Sequence, residues 1–303
     1  MTAVLEAIGT MAVIVLAGWF LGARGTLGEH AASALARVVF VVATPALLLT
    51  TVAHADLHQL VSRSAATSWL STAVVAGVAA LLFARRHPAG EATIATLAAS
   101  YVNAGNIGLP LAVYLLGDAV AVVPPLLFQL LVLAPVAFTI LESAESRTTA
   151  LGPVLGRTLR NPIIVATLIG LLLAALPWSL PDVAFEPLRV VGAAAAPLAL
   201  LTFGLSLAGP RTPRGVVPRA DLAVVVVLRN LVHPALAWGL GTLLGLPPHA
   251  LLAVTTMAAL PTAQNVLVYA IRYRTSTELA RDAGVVTTLA CVPVLLAVAA
   301  LLS

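Results

Sequence analysis

The feature that most constrains this 303-residue chain is an apolar run of about 20 residues that recurs from one end to the other. A helix of that length crosses the roughly 30 Å hydrocarbon core of a bilayer. Ten such spans can be read, at about 4–21, 34–52, 66–84, 93–115, 121–141, 162–179, 188–207, 219–242, 249–270 and 281–302. The runs are too long, and alternate too little, for barrel strands. Hydrophobic residues make up 60% of the chain and charged residues 9%, where a soluble domain carries roughly 25% charged residues. A soluble enzyme, a secreted disulfide scaffold and a disordered chain are excluded. The reading is an all-α polytopic membrane protein of ten transmembrane helices.

The basic residues give the topology. All 16 are arginine. Those in alternate loops, among them Arg24, Arg37, Arg85, Arg86, Arg160, Arg219, Arg272, Arg274 and Arg281, gather on one side. Only Arg63 and Arg189 fall on the other, and Arg229 lies inside the eighth span. By the positive-inside rule this places a multi-pass protein in the cytoplasmic membrane with both termini extracytoplasmic. The net charge of +4 is therefore topological, and no nucleic acid is expected. The single cysteine, Cys291, excludes an intrachain disulfide and a cysteine metal cluster. No metal or other cofactor is expected.

Ten spans divide into two sets of five, and an odd number per half inverts the second half relative to the first. Three sequence echoes fit that division. Pro45 in ATPALLLT matches Pro197 in AAPLALLT at an offset of 197 − 45 = 152. Asn106 matches Asn265 at 265 − 106 = 159, and Pro135 matches Pro293 at 293 − 135 = 158. The expected domains are a first repeat over 1–145 and an inverted second repeat over 158–303, joined by a short cytoplasmic connector.

Unsatisfied backbone is costly in hydrocarbon, so a helix broken at mid-membrane usually lines a cavity. The fourth span carries Asn103, Gly105, Asn106, Gly108 and Pro110 within eight residues, and the ninth carries Pro261, Gln264 and Asn265. Interrupted helices at matching places in the two halves are a pointer to a carrier's binding site. Asn103, Asn106, Gln129, Gln264 and Asn265 are the candidate substrate-binding residues, and Gly105, Gly108, Pro110 and Pro261 the candidate helix breakers. The plainer alternative is that the amides make interhelical packing bonds. Arg229 lies deep in its span with His233 four residues on, on the same helix face. The pair either attracts an anion and gates its path, or Arg229 bonds backbone carbonyls. No Asp or Glu stands at the centre of any span, which disfavours carboxylate-based ion coupling. No GxxxxGK[ST] loop, HExxH or catalytic serine motif occurs, and an enzyme is not expected.

Six motifs in order then resemble the auxin efflux carrier family, which includes plant auxin carriers and bacterial carboxylate permeases. They are Pro45; Asn103…Gly108-Leu109-Pro110; Arg160-Asn161-Pro162; Pro197-Leu198…Gly204-Leu205; Arg229…Pro234; and Ala259-Leu260-Pro261…Ala270…Tyr273. The resemblance implies a ten-helix fold like that of bile acid symporters and Na⁺/H⁺ antiporters, with broken, crossing helices 4 and 9. It implies elevator-type alternating access and an organic anion as substrate, either carboxylate or auxin-like. It adds Asn161 to the candidate gating residues and strengthens Asn103 and Gln129 as site residues. Val266 stands where plant members carry the ninth-helix crossover proline, and their long cytoplasmic loop is absent. The expected partners are a small organic anion and the lipid bilayer, with a homodimer allowed. The rival reading is a Na⁺- or H⁺-coupled organic-anion symporter of the bile-acid type.

Overall fold

The computed structural model describes residues 2–28, 30–54, 62–108, 111–112, 116, 119–146, 160–176, 181–208 and 218–302. Helices dominate: α1 (Thr2–Ala23), α2 (Ala31–Ala53), α3 (Arg63–Ala84), α4 (Ala89–Ser100), α5 (Val123–Glu145), α6 (Pro162–Ala175), α7 (Phe185–Ala208), α8 (Arg219–Leu243), α9 (Pro248–Ala258), α10 (Gln264–Arg272) and α11 (Thr277–Leu302). Six of these, α2, α3, α5, α7, α8 and α11, are long and apolar enough to cross a membrane. Shorter apolar helices run over Ala12–Ala23 and Pro162–Ala175. Helical geometry lapses between Ser100 and Ala104 and between Ala258 and Gln264. The connector at 147–159 and Pro110 lie outside the described residues.

Three long helices share one device. A five-residue π turn at Val39–Ala43, Gln129–Leu133 or Leu228–Val232 runs directly into Thr44-Pro45, Ala134-Pro135 or His233-Pro234. A proline inside a helix lacks an N–H and its ring collides with the carbonyl four residues back. A π turn widens the ladder to i→i+5 and gives the ring room. The same widening carries polar side chains into the interior, because Gln129, Arg229 and Asn230 all sit on these turns and all are buried.

The helices pack in two groups. In the first, α1 lies along α7, and α2 lies along both α6 and α7. Glycine sets the spacing. A Cβ on Gly18 would stand 2.4 Å from the Leu201 carbonyl oxygen, and one on Gly204 2.1 Å from that of Val15. One on Gly170 would stand 2.9 Å from Cβ of Val52 and 3.2 Å from the Leu49 carbonyl oxygen. Lipid is as apolar as leucine, so close van der Waals approach through small residues is what holds such helices together. In the second group α3 packs on α4 and α8, α4 on α5, α8 on α9, and α11 on α9 and α10. An edge-to-face aromatic cluster ties the groups: Phe40 of α2 meets Phe138 of α5 at 5.6 Å, and Phe138 meets Tyr269 of α10 at 4.9 Å.

This packing makes a paired prediction for the detergent-solubilised protein. Gly204→Ala forces α1 and α7 apart and lowers stability by about 1–3 kcal/mol. Gly77→Ala, on a part of α3 with nothing within 4 Å of the added carbon, raises it by about 0.5–1 kcal/mol through helix propensity. Thermal unfolding followed by size-exclusion chromatography measures both.

The crossing of the interrupted helices as a candidate binding site

Two broken helices cross with their extended residues side by side. α4 ends at Ser100 and Tyr101 turns extended, with φ −86° and ψ 103°. α9 ends at Ala258 and the chain is again extended at Ala263, with φ −68° and ψ 140°, before α10 begins. Val102 and Thr262 form an antiparallel bridge. The Asn103 N–H donates to the Pro261 carbonyl at 2.9 Å, and the Ala263 N–H donates to the Tyr101 carbonyl at 3.0 Å. A helix interrupted in hydrocarbon must find partners for the backbone groups it frees. Here each interruption supplies partners for the other. The first break comes before the glycines that mark it in the sequence, and the second falls at Pro261. Gly105 and Gly108 lie in a π turn (Ala104–Gly108) after the first break, and Val266 lies inside α10, past the second. The ninth-helix break therefore does not depend on a proline at Val266. Pro261 supplies it.

Side chains complete the satisfaction of the crossing. Gln129, on its π turn, donates Nε2–H to the Val102 carbonyl at 3.1 Å. The Thr262 hydroxyl donates to the Ala98 carbonyl at 2.6 Å, and the Thr262 N–H donates to the Thr287 hydroxyl at 3.1 Å. Asn230 donates Nδ2–H to the Thr287 carbonyl at 3.1 Å. Arg229 is wholly buried. Its Nη1 donates to the Ala99 carbonyl at 3.5 Å, and its Nη2 donates to the Ala258 carbonyl at 2.6 Å and to Nδ1 of His233. An arginine has only donors, so Nδ1 of His233 offers a lone pair and the ring proton sits on Nε2. That nitrogen faces the hydroxyls of Thr72 at 3.2 Å and Ser71 at 3.4 Å. Both hydroxyls donate their own protons to the Ser68 carbonyl, which leaves them free to accept from Nε2–H. Arg229 thus faces the backbone of the crossing, the carbonyl-bonding alternative of the two that the sequence leaves open.

A cavity of about 60 Å³ opens where the crossing meets the first helix group. Asn103, Gln129 and Asn265 border it from one side, and Thr44 of α2 with Ala195 and Ala196 of α7 from the other. Asn103 Nδ2 and Gln129 Oε1 are buried there without a hydrogen-bond partner among the described residues. Gly105 also lines this space. Gln264 is buried in the first turn of α10 but is not among the residues lining the cavity. The side chain of Asn106 lies outside the described residues. Gly108 packs beneath Leu260, whose Cδ1 would stand 2.9 Å from an added Cβ.

Asn161 is placed elsewhere. It caps α6, its Oδ1 accepting from the Ile163 N–H at 3.0 Å. Its Nδ2–H donates at 3.3 Å to the Tyr273 hydroxyl, which in turn donates to Oε1 of Glu142 at 2.9 Å. Burial and the neighbouring Glu142 carboxylate push the Tyr273 phenol up, so it stays a donor. Thr44, Ser71, Thr72, Thr262 and Thr287 are site residues that sequence reading passes over. A threonine in an apolar helix normally bonds its own i−4 carbonyl, as Thr287 does to Ala283, and so carries no signal.

Thr287→Val is expected to orphan the buried Thr262 N–H and to cost about 1–3 kcal/mol, while Thr287→Ser retains the acceptor and most of the stability. Melting curves of the two variants in detergent separate these outcomes.

Comparison with known proteins points to membrane transport. The chain matches the family described as "Membrane transport protein" over residues 3–298. It is 29% identical over 272 residues to an "Uncharacterized transporter" of Methanothermobacter thermautotrophicus, which covers 88% of this chain and 87% of that protein. It is 28% identical over 260 residues to a "Putative malonate transporter" of Rhizobium meliloti, covering 82% of this chain and 80% of that one. With nearly the whole chain matched and several helices fit to cross a bilayer, the chain belongs to this family of multi-pass membrane transport proteins, the auxin efflux carrier family that its motifs resemble.

Proposed function

We propose that the protein is a secondary carrier for a small organic anion, held at the crossing and moved across the cytoplasmic membrane by alternating access. The observation that carries this reading is the cavity between the two helix groups, where Asn103, Gln129 and Asn265 converge. Asn103 Nδ2 offers a free donor and Gln129 Oε1 a free acceptor. That pairing suits a carboxylate accompanied by a hydroxyl or by a second, protonated carboxyl. The first amides of α10 add the positive end of a helix. A short dicarboxylic acid of the malonate or malate type fits this chemistry, and a relative carries the malonate name.

The ten-span, inverted-repeat reading belongs to the same proposal, with repeats over 1–145 and 158–303 and both termini outside the cytoplasm. Its support is a set of matched contacts. Gly18 meets the Leu201 carbonyl and Gly204, and Gly170 meets the Leu49 carbonyl and Val52. The offsets are 170 − 18 = 152, 201 − 49 = 152 and 204 − 52 = 152, the same as 197 − 45 = 152 for the two prolines. The α1–α7 contact is thereby repeated as α6–α2. Arg229 likewise bonds Ala99 and Ala258, and 258 − 99 = 159 equals the offset of Asn106 and Asn265. A cavity bordered by α2 and α7 on one side and by the crossing on the other suits an elevator in which the second helix group slides along the first.

Counterflow in proteoliposomes with a panel of mono- and dicarboxylates tests the function. A short dicarboxylate is expected to exchange. Asn103→Ala and Asn265→Ala are each expected to cut flux about 10-fold or more, the worth of one buried bond to a charged group. Unchanged flux in both variants removes the site from the crossing.

A further inference from the structure

We infer that Arg229 is a built-in cation of the crossing, a positioning residue that cancels the negative ends of α4 and α9 so that the positive end of α10 is left for a substrate carboxylate. The inference rests on the carrier reading above and assigns the origin of its charge preference. Each α-helix leaves its last carbonyls unpaired and carries roughly half a negative charge at that end. Two such ends meet in this fold. The guanidinium bonds one carbonyl in the last turn of each, Ala99 of α4 and Ala258 of α9.

No carboxylate among the described residues pairs with Arg229. The ion pairs among the described residues involve Arg86, His87, Arg189, Arg272 and Arg281, and none includes Arg229. A wholly buried arginine is costly in a membrane unless something offsets its charge. The two helix ends do so, and the arginine offsets them in return. Of its three guanidinium nitrogens only Nε lacks a hydrogen-bond partner among the described residues. Both terminal nitrogens are engaged, and His233, itself held to α3 by Ser71 and Thr72, fixes one of them.

Position along the chain separates Arg229 from the substrate. It bonds residues that precede the two breaks. The cavity is lined by residues at and beyond them, including Asn103, Gly105, Ala263 and Asn265, and Arg229 is not among its lining residues. The arginine therefore acts through the helix ends. With it in place the amide end of α10 faces the cavity unopposed. Without it, two half-charges of the wrong sign lie behind a site meant for an anion.

Four variants of the purified full-length protein decide the matter: Arg229→Lys, Arg229→Met, Arg229→Ala, and Arg229→Ala with millimolar guanidinium chloride. Melting temperature in detergent is read alongside malonate counterflow. Arg229→Lys is expected to hold flux within about threefold. Arg229→Met is expected to raise the KM for malonate about tenfold or more, the order expected of one unit charge across a low-dielectric interior, with a smaller effect on Vmax. Guanidinium, but not tetramethylammonium, is expected to restore both the melting temperature and the KM of Arg229→Ala. An unchanged KM in Arg229→Met overturns the inference. So does a guanidinium-insensitive melting temperature in Arg229→Ala, a readout that needs no substrate. If wild-type protein moves no carboxylate, the carrier reading fails on its own, and the melting data still decide whether a cation at this position holds the crossing together.

Discussion

Backbone polar groups cannot be left unpaired in hydrocarbon, and the structure turns on how this chain meets that demand at its two broken helices. An isolated break would strand several N–H and C=O groups. Two breaks brought together pair as a short antiparallel bridge, Val102 with Thr262. The remainder is met by a few side chains: Gln129, Thr262 and Thr287 bond nearby amides and carbonyls, and Arg229 takes the carbonyl ends of α4 and α9. At the cavity, Asn103 Nδ2 and Gln129 Oε1 are buried without a partner among the described residues, as are Arg229 Nε and Asn230 Oδ1 behind the crossing.

The route by which these side chains arrive is written in the helices that surround the crossing. Proline in the middle of α5 and α8 calls for a π turn just before it, and the π turns carry Gln129, Arg229 and Asn230. A feature that looks like damage to a helix therefore delivers three buried polar groups. The first helix group has the opposite character. Its contacts are backbone against backbone at Gly18, Gly170 and Gly204, a packing that relies on close fit and carries few polar groups. The polar groups of the crossing thus face a surface held together by close backbone packing.

Much of this was legible in the residues. The apolar runs announce a multi-pass membrane protein. The Asn, Gly and Pro clusters locate both interruptions to within a few residues. The depth of Arg229 announces a buried charge in need of a partner. What the residues do not announce is where each break falls. Asn103, Gly105 and Gly108 are close together, and only the pairing with Pro261 and Ala263 fixes the extended segment at Tyr101–Asn103. Nor do they announce where Asn103 and Asn161 sit relative to one another. One lines the cavity, and the other caps α6 and bonds Tyr273.

The sequence by itself determined the solvent this protein lives in and the rough neighbourhood of its apolar segments and their helix-breaking residues. Those properties are local, since they depend on hydropathy over about 20 residues and on the backbone limits of glycine and proline. The tertiary structure alone decided what Arg229 faces, which amides share a cavity, and which threonines bond a distant segment. These choices depend on residues far apart in the chain, such as Arg229 with Ala99 and Thr262 with Ala98. A hydrogen-bond partner outside the segment leaves no periodic trace within it.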